Sequence, residues 1–281
     1  MTILLTGGNG KTSSRLAPLL KQEGFQVLVA SRSGAVRDGI KSCRFDWLDE
    51  STYANPFEAA SDISALYIVA PRTMDMLTPT KGFIDYALKK GVKRFVLLSA
   101  SSVQCGDPAH GKIHEYIKSL NVEYGVLRPT WFMQNFSEAQ HLTPIRDEGK
   151  LYSATNNGRI PFVSTEDIAC VAKHLLTDEK PHNTDYVVLG PELLSYDDVA
   201  KIMSGILKKP VEHVKLSGEE LSQWFQDQGV PSELAGFLSE LDVKIGSARA
   251  EERLNTAIKD VTGKEAVTFQ AFAEANKNVW V

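Results

Sequence analysis

The first twenty residues place a glycine-rich turn between an apolar segment and a helical pattern, and this order restricts the possible folds strongly. Residues 2–6 are apolar, Gly7, Gly8 and Gly10 follow, and an amphipathic pattern begins at residue 11. A strand, a tight turn and a helix in this order can hold a pyrophosphate, because bare backbone N–H groups and the positive end of the helix dipole face the anion. We therefore predict the first unit of a dinucleotide-binding α/β fold.

The glycine spacing is a variant of the usual motif, because Ser13 stands where a third glycine would let the helix pack closely on the strand. A P-loop is excluded, since Leu5 stands where the first glycine of that motif is required. A glycine turn in another kind of α/β protein is the remaining alternative. The residues that we expect to hold the phosphates are Thr6, Gly7, Gly8, Asn9, Gly10, Lys11 and Thr12.

Length and composition restrict the class of protein. A chain of 281 residues with 43% hydrophobic residues fits one large α/β domain, or a nucleotide domain with a smaller cap. The net charge of −4 gives no support for nucleic-acid binding, and no apolar stretch has the length of a membrane span. The chain opens as a strand without a charged leader, and its three cysteines lack metal-ligand spacing. We expect a cytoplasmic protein without a metal.

Apolar and amphipathic segments alternate as in a parallel sheet with crossover helices. The strands are predicted at 2–6, 26–31, 42–45, 63–70, 94–99 and 123–127, and helices at 11–23, 51–60, 76–90 and 110–120. Beyond residue 129 we predict strands at 185–190 and 211–215, and helices at 167–176, from 195, at 218–228, at 231–243 and within 264–279.

This pattern predicts a Rossmann-type, doubly wound parallel sheet with a small, mostly helical C-terminal substrate lobe. Residues 1–150 would form the dinucleotide-binding domain. Residues 151–281 would complete the sheet and form the lobe, interwoven with the first domain because no linker separates them.

The end of the second predicted strand indicates which nicotinamide cofactor is bound. A site that prefers NAD usually has Asp or Glu here, whereas this chain has Arg32 between Ser31 and Ser33. A guanidinium between two hydroxyls suits the adenosine 2′-phosphate, so the sequence favours NADPH/NADP+. The alternative is that Arg32 is an ordinary surface residue.

Other strand ends should complete the cofactor groove, since ligands bind outside the carboxyl ends of parallel strands. Asp46 would meet the adenine amino group, with a helix-capping role as the alternative. The residues expected here are Asp46, Trp47, Ala70, Pro71 and Ser99.

Several longer segments carry a family resemblance, namely residues 45–50, 92–99, 127–136, 151–155 and 196–200. Together with the glycine turn and Arg32, they resemble the NmrA-like branch of the atypical short-chain dehydrogenases. Within that branch the chain is most similar to the festuclavine and agroclavine dehydrogenases of fungal ergot alkaloid biosynthesis. The resemblance implies that NADPH reduces a cyclic iminium, formed from chanoclavine-I aldehyde, to festuclavine or agroclavine. It also implies coupling to an upstream reductase or isomerase of the old-yellow-enzyme type.

The helix predicted at 110–120 lacks the Tyr-x-x-x-Lys pair of the wider superfamily, and His110 and His114 stand at the two positions. Hydride addition to an iminium cation gives a neutral amine, so that step needs no proton donor. The missing pair fits an imine substrate and equally a protein that binds NADP without turnover. His110 and His114 are the candidate catalytic residues, with structural histidines as the alternative. No third ligand for a metal lies nearby.

The substrate pocket that the resemblance implies begins after Pro129. An aromatic wall suits a flat cationic indole skeleton through stacking and cation–π attraction, with core packing as the alternative for Phe132. The expected substrate-binding residues are Ser101, Trp131, Phe132 and Met133, with Tyr67, Met74 and Met76 as weaker candidates. Two other functions stay open, a redox-sensing NADP-binding regulator without turnover and an NADPH-dependent quinone or enone reductase.

Overall fold

The computed structural model describes residues 1–35, 39–73 and 75–281. Its strands are β1 (Thr2–Leu5), β2 (Gln26–Ser31), β3 (Lys41–Arg44), β4 (Ile63–Ile68), β5 (Arg94–Leu98), β6 (Glu123–Pro129), β7 (Lys150–Ser153), β8 (Thr184–Val188) and β9 (Glu212–Lys215). Its α-helices are α1 (Ser13–Gln22), α2 (Asn55–Ala59), α3 (Leu77–Lys89), α4 (His110–Ser119), α5 (Gln134–Ser137), α6 (Thr165–Thr177), α7 (Tyr196–Leu207), α8 (Gly218–Asp227), α9 (Ser232–Ala248), α10 (Ala257–Thr262) and α11 (Phe269–Asn276). Short 3₁₀ turns span Glu50–Thr52 and Lys277–Trp280, and a π-helical turn spans Pro144–Glu148.

The chain divides into two compact units, and each is assembled from segments that alternate along the sequence. The first unit comprises Met1–Pro129, Thr165–Val188 and Ala257–Lys264. The second comprises Thr130–Ser164, Leu189–Thr256 and Glu265–Val281. The division predicted at residue 150, into a dinucleotide-binding domain and an interwoven remainder, stays a prediction.

The first unit contains a parallel sheet of seven strands in the order β3-β2-β1-β4-β5-β6-β8. The apolar strand β1 is buried throughout, and its Leu4 pairs with Leu28 of β2 and Leu66 of β4. The strand order reverses on either side of β1, which opens a crevice at the carboxyl ends of β1 and β4. The predicted Rossmann-type fold is therefore confirmed.

A cluster of aromatic rings holds the segment that follows β3. The rings of Phe45 and Phe83 lie 4.4 Å apart, and Trp47 meets Phe45 edge-on at 4.9 Å. Tyr53 packs against Phe83 at 5.1 Å and donates its hydroxyl hydrogen bond to the carbonyl of Trp47 at 2.9 Å. These contacts keep residues 45–48 beside the end of the sheet.

The second unit is mostly helical and contains one parallel pair of strands, β7 and β9. Its apolar core includes Phe136, Phe162, Tyr196 and Trp280, and the indole N–H of Trp280 donates to the Phe136 carbonyl at 2.8 Å. Capping boxes start α7 and α8, as the Ser–Asp and Ser–Glu spacings there require. The predicted strand at 211–215 is β9, whereas β7 and α5 of this unit, and α10 of the first unit, were not predicted.

Within the described ranges, no helix has both the length and the hydropathy that crossing a bilayer requires.

Candidate functional site

The glycine turn follows β1 directly, and each of its glycines sits where a side chain would not fit. Gly7 has φ +62°, and a Cβ there would lie 2.9 Å from the Cβ of Val69. A Cβ on Gly8 would lie 2.0 Å from Cγ1 of Val29, and one on Gly10 would lie 2.9 Å from the Gly7 carbonyl oxygen. The turn therefore has to present bare backbone, which is the surface that a pyrophosphate needs.

Ser13, at the third-glycine position, is fully buried at the start of α1. Its hydroxyl donates a hydrogen bond of 2.8 Å to the carbonyl of Thr6. The serine thus joins the first turn of the helix to the end of β1, a link that glycine would not supply.

Buried hydrogen bonds of Thr6 and Thr12 connect the glycine turn to β4 and the residues that follow it. The Thr6 hydroxyl donates to the Tyr67 carbonyl and accepts from the Val69 N–H, both at 2.9 Å. The Tyr67 hydroxyl donates to Thr12 at 3.1 Å, and burial raises the pKa of that phenol. Tyr67 is therefore a buried structural residue at the base of the turn.

A cavity of about 570 Å³ opens in the first unit at the carboxyl ends of β1–β4. Its lining residues are Gly7, Gly8, Asn9, Gly10, Ala30, Ser31, Arg32, Ser33, Phe45, Asp46, Trp47, Leu48, Val69, Ala70, Pro71, Arg72 and Thr73. The structure thus brings together the predicted groups from the glycine turn, the end of β2, the segment after β3 and the end of β4.

Four residues predicted for the cofactor, Thr6, Lys11, Thr12 and Ser99, lie outside this lining. The sequence analysis in turn missed six lining residues: Ala30, Phe45, Leu48, Val69, Arg72 and Thr73. The last three follow one another closely along the chain. Their position after β4 was a usable signal, since Ala70 and Pro71 were singled out on the same ground.

Two arginines line the cavity from different strand ends. Arg32 follows β2 and Arg72 follows β4, and both side chains are exposed. Neither makes an ion pair with any residue that the structure describes. Both are therefore available to an anionic ligand.

Asp46 and Trp47 shape the side of the cavity next to β3. The Asp46 carboxylate accepts from the Leu48 N–H at 3.0 Å, and the indole N–H of Trp47 donates to the Val69 carbonyl at 3.1 Å. The adjacent 3₁₀ turn is capped by Asp49, which accepts from the Ser51 N–H. Asp46 is therefore not the helix cap.

His110 and His114 belong to α4, outside the cavity lining. Burial lowers the pKa of both imidazoles, and in His114 the carboxylate of Asp185 opposes that shift. His114 is buried, and its ring lies 6.4 Å from that of Tyr124. Ala109, just before the helix, has φ +58° and ψ −115°, a conformation that is strained for alanine. The catalytic role of the two histidines stays a prediction.

Ser99 and Ser101 follow β5, and the sheet holds their backbones. The Ser99 N–H donates to the Leu127 carbonyl at 2.7 Å, and the Ser101 N–H donates to the Pro129 carbonyl at 2.8 Å. Arg128 donates to the Ser101 carbonyl at 3.1 Å and pairs with Asp185 at 2.8 Å.

The predicted aromatic wall lies in the second unit. Trp131 and Phe132 are half-buried, and Phe132 forms a β-bridge with Val163. Met133 is fully buried in the apolar core of that unit. Of the weaker candidates, Met76 is half-buried and Met74 lies outside the described residues. Their contacts with substrate stay predictions.

The second unit also contains a Ser–His–Asp arrangement. Ser153 Oγ lies 2.8 Å from Nε2 of His213, whose Nδ1 lies 2.9 Å from Asp197 Oδ1. Such a relay can activate a serine nucleophile, but Ser153 is fully buried. No substrate carbonyl can reach its hydroxyl, so the arrangement ties β7, β9 and α7 together.

In the part of the chain covered by the structure, no group of three or more His, Cys, Asp or Glu residues is arranged to hold a metal ion.

Known proteins with similar sequences match the whole chain. A model of the NmrA-like family matches residues 1–270. Agroclavine dehydrogenase of Claviceps fusiformis is 46% identical over 287 residues, spanning 100% of this chain and 99% of the relative. Festuclavine synthase II of Penicillium roqueforti is 46% identical over 289 residues, spanning 100% of both chains.

Among solved structures, the triphenylmethane reductase of Citrobacter sp., in complex with NADP(H), is similar to this one. The TM-score is 0.80, with 18% identity over 98% of this chain and 100% of that chain. At this level of identity the similarity shows the fold alone.

Proposed function

This chain belongs to the NmrA-like family, and from this premise we propose that it is an NADPH-dependent oxidoreductase that forms a clavine alkaloid. Its substrate would be a cyclic iminium derived from chanoclavine-I aldehyde, and its product festuclavine or agroclavine. One observation carries the proposal: a glycine-lined cavity with Arg32 at the end of β2, in a chain that matches agroclavine dehydrogenase and festuclavine synthase along its whole length.

The residues around the cavity fit an NADP(H) molecule. Gly7, Gly8 and Gly10 leave a surface that a Cβ would fill, so the backbone of the turn can approach the pyrophosphate closely, although the Gly8 and Gly10 N–H groups already donate to the Ala30 and Gly7 carbonyls. Ser31, Arg32 and Ser33 would hold the adenosine 2′-phosphate through charge-assisted hydrogen bonds. When bound, NADPH supplies the hydride that reduces the C=N carbon.

The proposed reaction places few chemical demands on the side chains of α4. An iminium already carries its positive charge, so no acid has to stand where the superfamily has tyrosine. Burial lowers the pKa of His110 and His114, which favours the uncharged imidazole and so reduces repulsion of a cationic substrate.

The half-buried rings of Trp131 and Phe132 are proposed to stack on the cationic indole skeleton. Cation–π attraction of this kind contributes about 0.5–2 kcal/mol. The chain would then bind the substrate through ring faces and exclude water from the iminium, which otherwise hydrolyses.

One observation favours a second candidate. Because α4 lacks the Tyr-x-x-x-Lys spacing of the wider superfamily, the chain also fits a regulator that binds NADP and senses redox state without turning the cofactor over. The two functions differ in turnover rather than in binding.

The test is an assay with purified protein, NADPH and chanoclavine-I aldehyde, with an old-yellow-enzyme-type reductase or isomerase, or a thiol, present. We expect NADPH oxidation at 340 nm that depends on the aldehyde, with a clavine identified by mass spectrometry. Reactions without the aldehyde, and with NADH in place of NADPH, are the controls. Tight NADPH binding by calorimetry without oxidation in any of these mixtures would favour the regulator instead. Oxidation with simple quinones alone would indicate the quinone reductase.

A further inference from the structure

Arg72 is an exposed arginine that lines the cavity, and the proposed function assigns it no role. It lines the cavity together with the glycine turn, and it makes no ion pair within the described parts of the chain. An unpaired guanidinium on the wall of an anion-binding cavity is available for a phosphate.

The backbone that carries Arg72 is held at its base by two buried groups. The Val69 N–H donates to the Thr6 hydroxyl at 2.9 Å, and the Val69 carbonyl accepts from the Trp47 indole at 3.1 Å. Residues 69–73 therefore leave the end of β4 in a defined direction and contribute a continuous stretch of cavity wall.

The sheet order separates Arg72 from Arg32. β1 lies between β2 and β4, so the glycine turn that follows β1 is flanked by both strand ends. Gly8 packs against Val29 on the side of Arg32, and Gly7 packs against Val69 on the side of Arg72. The strand ends that precede Arg32 and Arg72 thus flank the turn on opposite sides.

The negative charges of NADPH also lie in two separate groups. NADPH carries a pyrophosphate and a separate 2′-phosphate, and Arg32 at the end of β2 suits the latter. Among the described lining residues, Arg72 is then the remaining side-chain cation near the turn, where Asp46 contributes the opposite charge. Lys11, which the sequence predicts at the phosphates, lies outside this lining.

We propose that the Arg72 guanidinium is a side-chain ligand of the cofactor pyrophosphate and, with Arg32, divides the recognition of the three phosphates. This inference rests on the proposed function, because it takes NADP(H) as the ligand. It adds a residue that determines how tightly the pyrophosphate is held, independently of the preference for the 2′-phosphate.

The test uses fragments of the cofactor as probes. Adenosine 5′-diphosphate carries only the pyrophosphate, and 2′-AMP carries only the 2′-phosphate. The Kd values of both, and of NADPH, are measured by calorimetry for the wild type, Arg72→Gln and Arg32→Gln. Lys21→Gln, at an exposed position in the last turn of α1, is the control for loss of one positive charge in the same unit.

We expect Arg72→Gln to weaken binding of ADP and NADPH about tenfold and to leave 2′-AMP within about twofold, because a charged hydrogen bond is lost from one phosphate group only. Arg32→Gln should show the opposite pattern, and Lys21→Gln should bind all three like the wild type. Arg72→Lys should recover part of the ADP affinity, since it restores the charge without the planar fork. Far-ultraviolet circular dichroism and a thermal melt check that each variant is folded.

The outcomes separate this inference from the proposed function. If the wild type binds neither NADPH nor ADP, the proposed function fails and this inference fails with it. If the wild type binds both and Arg72→Gln binds ADP equally well, only this inference is overturned. A selective loss of 2′-AMP binding in Arg72→Gln also overturns it.

Discussion

Single residues in the turn after β1 act by having no side chain. Gly8 lies beside Val29, and its N–H donates to the Ala30 carbonyl at 3.2 Å, so the turn is tied to β2 by backbone alone. A methyl group at this position would separate the two strands locally or move the turn. The backbone of the turn would then leave the position in which it is proposed to approach the pyrophosphate.

Gly8→Ala is therefore expected to weaken NADPH binding at least about tenfold and to lower the melting temperature. The physical reason is the 2.0 Å separation between the new Cβ and Cγ1 of Val29. Calorimetry and a thermal melt measure the two effects. The double variant Gly8→Ala/Val29→Ala should recover part of both, because it removes the atom that clashes.

Gly236→Ala is the matched control, since nothing lies within 4 Å of a Cβ at that helical position. It should leave NADPH binding unchanged and stabilise α9 by up to about 1 kcal/mol. Unchanged NADPH affinity in Gly8→Ala would show that the turn does not carry the phosphate site.

At the scale of elements, buried polar groups position the short strand β7 in the second unit. The Asp242 carboxylate on α9 accepts from the Ala154 N–H at 3.2 Å, just beyond β7, while Ser153 bonds to His213 of β9. Asp242 is buried, and that burial raises its pKa from 3.8 to about 7. A four-residue strand buries little apolar surface, so such hydrogen bonds decide where it lies.

The raised pKa of Asp242 predicts how the free energy of unfolding changes with pH. Between about pH 4 and pH 7 the folded chain keeps a proton on this carboxyl that the unfolded chain releases, so this contribution to stability falls as pH rises through that window. Asp242→Asn removes the charge and retains an acceptor oxygen. We expect the variant to be more stable than the wild type by on the order of 4 kcal/mol at pH 8, with the difference vanishing near pH 4.

Urea unfolding of both proteins across this pH range measures the difference. Asp227→Asn, at an exposed position ending α8, is the control for removing an aspartate at the surface. A wild type that is the more stable protein at pH 8 would contradict the prediction.

At the scale of the whole molecule, the first unit depends on segments far along the chain. β8 pairs with β6, with Leu127 opposite Tyr186, and α6 packs on α1 through an ion pair of 2.6 Å between Arg15 and Glu166. Both β8 and α6 come after the second unit has begun. The unit that contains the seven-stranded sheet is therefore not a continuous stretch of sequence.

A fragment of residues 1–150 is accordingly expected to lack a cooperative thermal transition and to bind no NADPH. It would leave the β6 edge unpaired and the α6-facing side of α1 exposed, both of which favour aggregation. Circular dichroism melts, gel filtration and calorimetry on the fragment and on the full chain test this. A soluble fragment that melts cooperatively and binds NADPH would instead support the predicted domain boundary at residue 150.

The sequence by itself determined the parallel sheet, the glycine turn and most of the strand ends that line the cavity. These features are local, because apolar runs, helical periods and glycines at fixed spacing constrain the backbone within a few residues. Helix starts were less exact, with α1 beginning at Ser13 rather than at residue 11. The short elements β7, α5 and α10 were missed because four to six residues carry too little pattern.

Only the tertiary structure decided which distant residues meet. Arg72 lines the same cavity as Arg32, whereas Ser99 lies outside the lining. Thr6 and Thr12 are buried. The tertiary structure also assigned residues 165–188 and 257–264 to the first unit. The physical reason is that these outcomes depend on packing and hydrogen bonds between segments tens of residues apart, and no pattern within one segment encodes its partner.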